Sequence, residues 1–362
     1  MAAVRFGVTN GTILNPKMCY LFVPDVVLGR GEAMRRREFI TLLGGATAAW
    51  PLAAQSQPLD QMRRIGVLMP YADDDPNASP RVAALRQGLQ KLGWTEDRNI
   101  RFEHRWASSD EVIHRLAREL VDSRPDVILT DGTTVTAGVL RETHTIPVVF
   151  VQVSDPVGGG FVASFPHPGG NATGFNIFPP TMTSKWLELL MEIVPRTARV
   201  MYLFNPPTAP YAQRFFESLK ASASSIGVEA VASPVYKPAE IESVIARFAR
   251  EPDGGLVVLP GAFMGPHRDL VIAAAGRYRL PAIYPFRYYA ESGGLVSYGN
   301  VPADAYRQAA TYIDQILRGA KPADLPVQMS VKFELVVNLK TAKAMGLKIP
   351  ESFLVRADEV IE

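Results

Sequence analysis

The chain has 362 residues, 47% hydrophobic and 20% charged, with 38 basic and 36 acidic side chains and a formal net charge of +2. This is a globular composition, long enough for two domains of ordinary size, and its balanced charge gives no electrostatic footprint for nucleic acid. The single cysteine, Cys19, excludes an intrachain disulfide framework and a cysteine metal cluster.

The first patterned segment begins at Met34 and reads MRRREFITLLGGATAAWPLAAQSQ. Three arginines, Arg35 to Arg37, precede an uncharged run from Phe39 to Ala54. That run is shorter than the roughly 20 residues that cross a bilayer. A basic start, a short apolar core and a small-residue end describe an export signal over 34–56, cleaved after Ala54 or after Ser56. Arg36-Arg37-Glu38-Phe39-Ile40 also fits the twin-arginine pattern. The other reading of this segment is a buried N-terminal helix. Residues 1–33 resemble neither a domain nor a signal, and the expected start is Met34 with 1–33 as a mis-annotated extension.

Beyond the signal, RIGVLMP (64–70) predicts a strand. A helix over 80–92 carries Val82, Leu85, Leu89 and Leu92 on one face and stops at Gly93. NIRFEHRW (99–106) predicts a second strand. A helix over 110–122 follows, capped by Ser109 or Asp110, with Val112, Leu116 and Leu120 as its stripe. DVILTDG, a helix over 134–143 and IPVVFVQ (146–152) complete the series. The same order then repeats: ARVMYLFN (198–205), a helix over 211–226 ending at Gly227, VEAVASPV (228–235) and a helix over 238–250. GGLVVLPG, a helix over 266–278 and LPAIYPF (280–286) close the second series. The pair RPDVILTDG (124–132) and EPDGGLVVLPG (251–261) marks the duplication most plainly. Apolar strands alternating with helices imply parallel sheets covered on both faces, hence an α/β fold of two similar lobes.

In open parallel sheets, ligands bind beyond the carboxyl ends of the strands, where helix N-termini also converge. The turns after the repeated strands are therefore the informative positions, and two lobes facing each other there would enclose one cleft. Thr133 and Thr134 can hold an anion at a helix start or act as a simple N-cap. Asp155 can pair with a ligand ammonium or hydroxyl, or initiate a turn before Pro156. Tyr71, Phe263, Phe286 and Tyr298 are aromatic candidates for sandwiching a ring or chain, or for packing. Ser154 and Asn205 occupy the same turn positions. Gly158-Gly159-Gly160 lacks the spacing and the lysine of a phosphate loop and reads as a flexible turn. The five histidines form no metal-binding pair, and no G-x-S-x-G elbow occurs, so no catalytic residue, metal or cofactor is expected.

The leader and RIGVLMP, together with VSDPVGGGFVASFPHPGGNATGF (153–175), LPAIYPFRYYAESGGLVSYG (280–299) and KFELVVNLKTAKAMGLKIP (332–350), resemble the substrate-binding proteins of ATP-binding-cassette transporters, in the tryptophan- and tyrosine-binding group. The resemblance covers 34–362. It implies a type I periplasmic binding-protein fold, two Rossmann-like lobes joined by crossings near 172–178, 295–301 and 327–331. Lobe 1 would comprise 62–174 plus 301–327, and lobe 2 would comprise 175–300 plus 328–362. The expected function is an exported, monomeric, periplasmic solute receptor that closes by a hinge on a small polar molecule, an amino acid or related compound. It would deliver that solute to a membrane permease, without nucleic acid. The alternative is a ligand-sensing module of a periplasmic signalling system.

Overall fold

A computed structural model describes residues 62–71, 75, 78–107 and 109–362. The expected extension over 1–33 and the expected export signal over 34–56 lie outside the described residues.

Among these residues the chain builds two sheets. In the first, β1 (Arg63–Met69), β2 (Ile100–Trp106), β3 (Val127–Asp131), β4 (Val148–Val153) and β5 (Ala172–Asn176) are joined by β11 (Gln328–Met329) in the order β11-β5-β4-β3-β1-β2. All its pairs are parallel. Every residue of β3, β4 and β5 is buried, as expected for central parallel strands covered on both faces, and their polar residues stand mostly toward the carboxyl ends. Helix α1 (Ala78–Lys91) packs against α9 (Pro302–Leu317) on one face, with Leu85, Leu89, Ala309 and Ile313 between them and the sheet. Gly88 permits this approach, since a Cβ there would stand 2.7 Å from the Cβ of Ala310. On the other face, α2 (Asp110–Asp122) and α3 (Thr133–Glu142) bury Ile113, Leu120, Val135 and Val139.

The second sheet repeats the layout. It contains β6 (Arg199–Phe204), β7 (Glu229–Pro234), β8 (Gly254–Val258), β9 (Ala282–Tyr284), β10 (Val296–Asn300), β12 (Phe333–Asn338) and β13 (Glu359–Ile361). Their order is β13-β12-β10-β9-β8-β6-β7, parallel except for the β10–β12 pair. The first three strands of each series take the same relative places, with the first strand between the second and the third. Around this sheet, α4 (Met182–Ile193), α5 (Ala212–Ser225), α6 (Pro238–Phe248) and α7 (Arg268–Arg277) supply Trp186, Leu190, Phe215, Leu219, Ile245 and Val271 to one core. The chain passes between the sheets after β5, between β10 and α9, and again after β11.

Local chemistry accounts for the boundaries. Ser109 is the residue that caps α2, its hydroxyl accepting from the Val112 amide. The buried stripe of that helix runs through Ile113, with Val112 only partly covered. α7 begins at Arg268 rather than at 266, because turns bonded back to Gly261 and Gly265 occupy the intervening residues. A short helix, α8 (Arg287–Glu291), was not anticipated within the aromatic run YPFRYY. No helix among the described residues is long and apolar enough to cross a membrane.

Candidate functional site

A hollow of about 560 Å³, part of it open to solvent, lies between the carboxyl ends of the two sheets. The first lobe lines it with Tyr71, Arg81, Asp131, Thr133, Thr134 and Gln152; the second contributes Thr208, Tyr211, Phe286 and Tyr288.

The floor on the first lobe is ionic. Asp131, the last residue of β3, accepts from Arg81 Nη1 at 2.9 Å, and the two side chains are only 3% and 5% exposed. The Tyr306 hydroxyl on α9 donates to the same carboxylate oxygen at 2.5 Å, and the Tyr71 hydroxyl accepts from Arg81. Burial pushes the Asp131 carboxyl up from its ordinary range, while Arg81 and the Tyr306 hydrogen bond pull against that shift. Burial likewise raises the Tyr71 and Tyr306 phenols, so both remain protonated. Two opposite charges within hydrogen-bond distance cancel at range and give this wall polarity without net charge.

Above that pair, Gly132 turns the chain from β3 into α3. Its φ of +89° suits glycine, and no side chain caps the helix start. The N-terminal end of α3 therefore carries partial positive charge with Thr134 beside it on the hollow. The Thr133 hydroxyl already accepts from the Ser154 amide at 3.1 Å, fixing the α3 start to the end of β4.

Gln152 is the polar residue in the buried strand VVFVQV. It is 7% exposed, and neither its amide oxygen nor its amide nitrogen has a hydrogen-bond partner. Its φ of +55° lies in the left-handed region, where the β4–β5 register slips between Phe150 and Val153. Such a bulge re-aims a side chain at a backbone cost of about 1–3 kcal/mol. At the preceding pair of that register, Gly174 passes so close to Phe150 that a Cβ would lie 2.0 Å from the Phe150 carbonyl oxygen.

The wall on the second lobe is aromatic. Phe286 stacks on Tyr288 with centroids 5.4 Å apart, and behind it lies Phe178 at 5.9 Å. Tyr211 donates from its hydroxyl to the Pro260 carbonyl at 2.7 Å. Burial holds the Tyr211 and Tyr288 phenols above the ordinary tyrosine range.

Of the residues expected from sequence, Tyr71, Thr133, Thr134 and Phe286 come together on this hollow. Ser154 and Asp155 line an adjoining one, with Gly158, Tyr211 and Arg214. There the Asp155 carboxylate accepts from Arg214 Nη1 at 3.0 Å and from the Gly158 amide at 3.1 Å. Asp155 thus ties the first lobe to α5 of the second, and the glycine run is the turn that it closes. Asn205, Phe263 and Tyr298 line neither hollow. The Asn205 amide is consumed locally, donating to the Val235 carbonyl and accepting from Thr208, which it positions. Phe263 packs on His267 with centroids 4.4 Å apart. Tyr298 stacks on Phe333 at 5.8 Å, while its carbonyl accepts from the Trp186 indole.

Sequence reasoning missed Arg81, Gln152, Tyr211 and Tyr288 as lining residues. Arg81 carries no sequence signal, because it sits beside Val82 in the first turns of an ordinary helix. Gln152 does carry one, as an uncharged amide interrupting a strand otherwise apolar on both faces. Among the described residues there is no cluster of three or more His, Cys, Asp or Glu side chains able to hold a metal ion.

The family model described as ABC transporter substrate binding protein matches residues 66–361. A tyrosine-binding protein of Clostridioides difficile (strain R20291) is 22% identical over 296 residues, covering 81% of this chain and 84% of that protein. A conserved domain protein from Vibrio cholerae superposes with a TM-score of 0.77 at 29% identity, covering 83% of this chain and 100% of that one. The ABC domain in complex with L-Trp from Streptococcus pneumonia also gives 0.77, at 25% identity and the same coverage. The shared architecture is that of type I periplasmic binding proteins, with two Rossmann-like lobes.

Proposed function

We propose, from the premise that this chain belongs to the family of ABC transporter substrate binding proteins, that it is an exported receptor capturing an amino acid with an uncharged, apolar or aromatic side chain. The observation that carries this reading is the hollow between the two lobes, polar on one wall and aromatic on the other. The uncapped start of α3 suits a carboxylate. Phe286 and Tyr288 suit a ring or aliphatic chain. Arg81 and Asp131 neutralise each other, so a ligand with net charge would find no counter-charge in that wall. The ligands named for the relatives, tyrosine and tryptophan, agree with this chemistry.

In this reading the lobes open about the three segments that join the sheets, admit the solute and close on it. The ion pair between Asp155 and Arg214 forms across the rim in the closed arrangement. Micromolar binding supplies about 8 kcal/mol, and its share in favour of the closed form drives the shift. The closed receptor then docks on a membrane permease of the import system. The twin-arginine segment directs the chain to the periplasm, where the receptor acts as a monomer.

A calorimetric and thermal-shift screen of the twenty amino acids on the purified exported protein tests the proposal. Tyrosine, tryptophan or an aliphatic amino acid is expected to raise the melting temperature by mass action, while lysine and glutamate leave it unchanged. A response confined to sugars, or to charged amino acids, would refute it.

A further inference from the structure

We infer that the side-chain amide of Gln152 is the group that reads the ligand's amino group. This rests on the amino-acid reading of the hollow and adds to it the residue that distinguishes an amino acid from the corresponding acid.

The other acidic acceptors near the hollow are already engaged. The Asp131 carboxylate is taken up by Arg81 and the Tyr306 hydroxyl. Asp155 stands in the adjoining hollow, engaged with Arg214 and the Gly158 amide. Gln152 is the contrasting case: it lines the main hollow, it is more than nine-tenths buried, and both ends of its amide lack partners. A buried amide left unpaired is unfavourable, and the positive φ beneath it is unfavourable as well. A chain that retains both has a use for that amide in the bound state.

The position defines the use. Gln152 sits on β4, adjacent in the sheet to β3, and the uncapped start of α3 follows β3 directly. A carboxylate held at that helix start carries its α-carbon, and hence its amino group, next to the neighbouring strand. The amide oxygen of Gln152 then accepts from the ammonium, and its nitrogen donates to the carboxylate. A side chain with one acceptor and one donor matches a zwitterion and adds no charge to a wall that is already neutral. Such dependence on a single hydrogen-bonding group is how a buried site rejects an analogue that lacks one substituent.

The test is a cycle that crosses one substitution with one ligand substituent. The exported full-length mature protein and its Gln152→Leu variant are titrated calorimetrically with two matched pairs. These are L-tyrosine against 3-(4-hydroxyphenyl)propanoate, and L-tryptophan against indole-3-propanoate. Gln152→Leu is expected to weaken the amino acid by roughly 10- to 100-fold while the deaminated partner changes less than about threefold. The melting temperature of the free variant is expected to stay level or rise, because the substitution removes an unpaired buried amide. Gln152→Asn, which withdraws the amide by one methylene, is expected to fall between the two. Equal weakening of both ligands with a lowered melting temperature would assign Gln152 a packing role and overturn the inference. Unchanged affinity for the amino acids would overturn it too. If the unsubstituted protein bound neither of these nor L-leucine, the amino-acid reading would itself fail and carry this one with it; if it bound only L-leucine, L-leucine against 4-methylpentanoate is the matched pair.

Discussion

The two lobes are built alike and furnished differently. At the end of the third strand of the first lobe stands a buried carboxylate, Asp131, paired to Arg81. At the corresponding end in the second lobe, after β8, the chain runs Leu259, Pro260, Gly261 with no ionisable side chain. The fourth strand of the first lobe contains an unpaired amide at Gln152; the fourth of the second, β9, leads instead into the ring of Phe286. One copy has kept polar groups at its carboxyl edge and the other has filled its edge with rings. A duplicated scaffold therefore divides labour: equivalent turns face the same hollow, and their side chains decide which part of a solute each could hold.

Breaking the ionic wall should have the largest effect. Asp131→Ala leaves the Arg81 charge buried and unpaired, and a loss of about 3–5 kcal/mol of folding stability is expected in denaturant melts. Replacing both partners, as Asp131→Leu with Arg81→Met, should recover much of that loss; no recovery would mean that the pair is not the source of the effect.

On the aromatic wall, Tyr288→Leu sharpens the contrast by separating ring recognition from folding. Affinity for tyrosine or tryptophan should fall by about 0.5–1.5 kcal/mol, the usual worth of an aromatic pair beyond its area. Binding of leucine, followed in the same titrations, should change little. An equal loss for all three would make Tyr288 a shape-filling residue only.

The smallest effect belongs to the contact that joins the lobes. Arg214 is 59% exposed, so its pair with Asp155 resembles a surface salt bridge. Arg214→Ala should weaken ligand binding by only about 0.2–1 kcal/mol, and less at high salt. Small-angle scattering of the free protein should show a slightly larger radius in the variant. A hundredfold loss of affinity would instead make Arg214 part of the binding site.

Much of this architecture was legible before any coordinates. The spacing of Leu116 and Leu120 and the hydroxyl of Ser109 placed α2 over 110–122, because both signals act within a turn or two of chain. The rule that sites gather at carboxyl edges brought out Tyr71, Thr133, Thr134 and Phe286, all of which line the hollow. The same rule brought out Asn205, Phe263 and Tyr298, which do not. Edge position says where a backbone ends, and the direction of the side chain there depends on neighbours. Asn205 turns inward to Val235 and Thr208, and Tyr298 turns to Phe333 from a strand distant in sequence.

Periodicity, caps and turn residues are local, so order, length and repetition of the elements, and with them the two-lobed class, followed from the chain read alone. Pairings across long stretches of chain did not. Arg81 meets Asp131 and Tyr306 only because α1 and α9 pack on the same face of the first sheet. Asp155 meets Arg214 only because the lobes stand edge to edge. Charge and polarity tell what a residue can do; which partner it finds is decided where packing brings distant segments together, and that is information no local pattern contains.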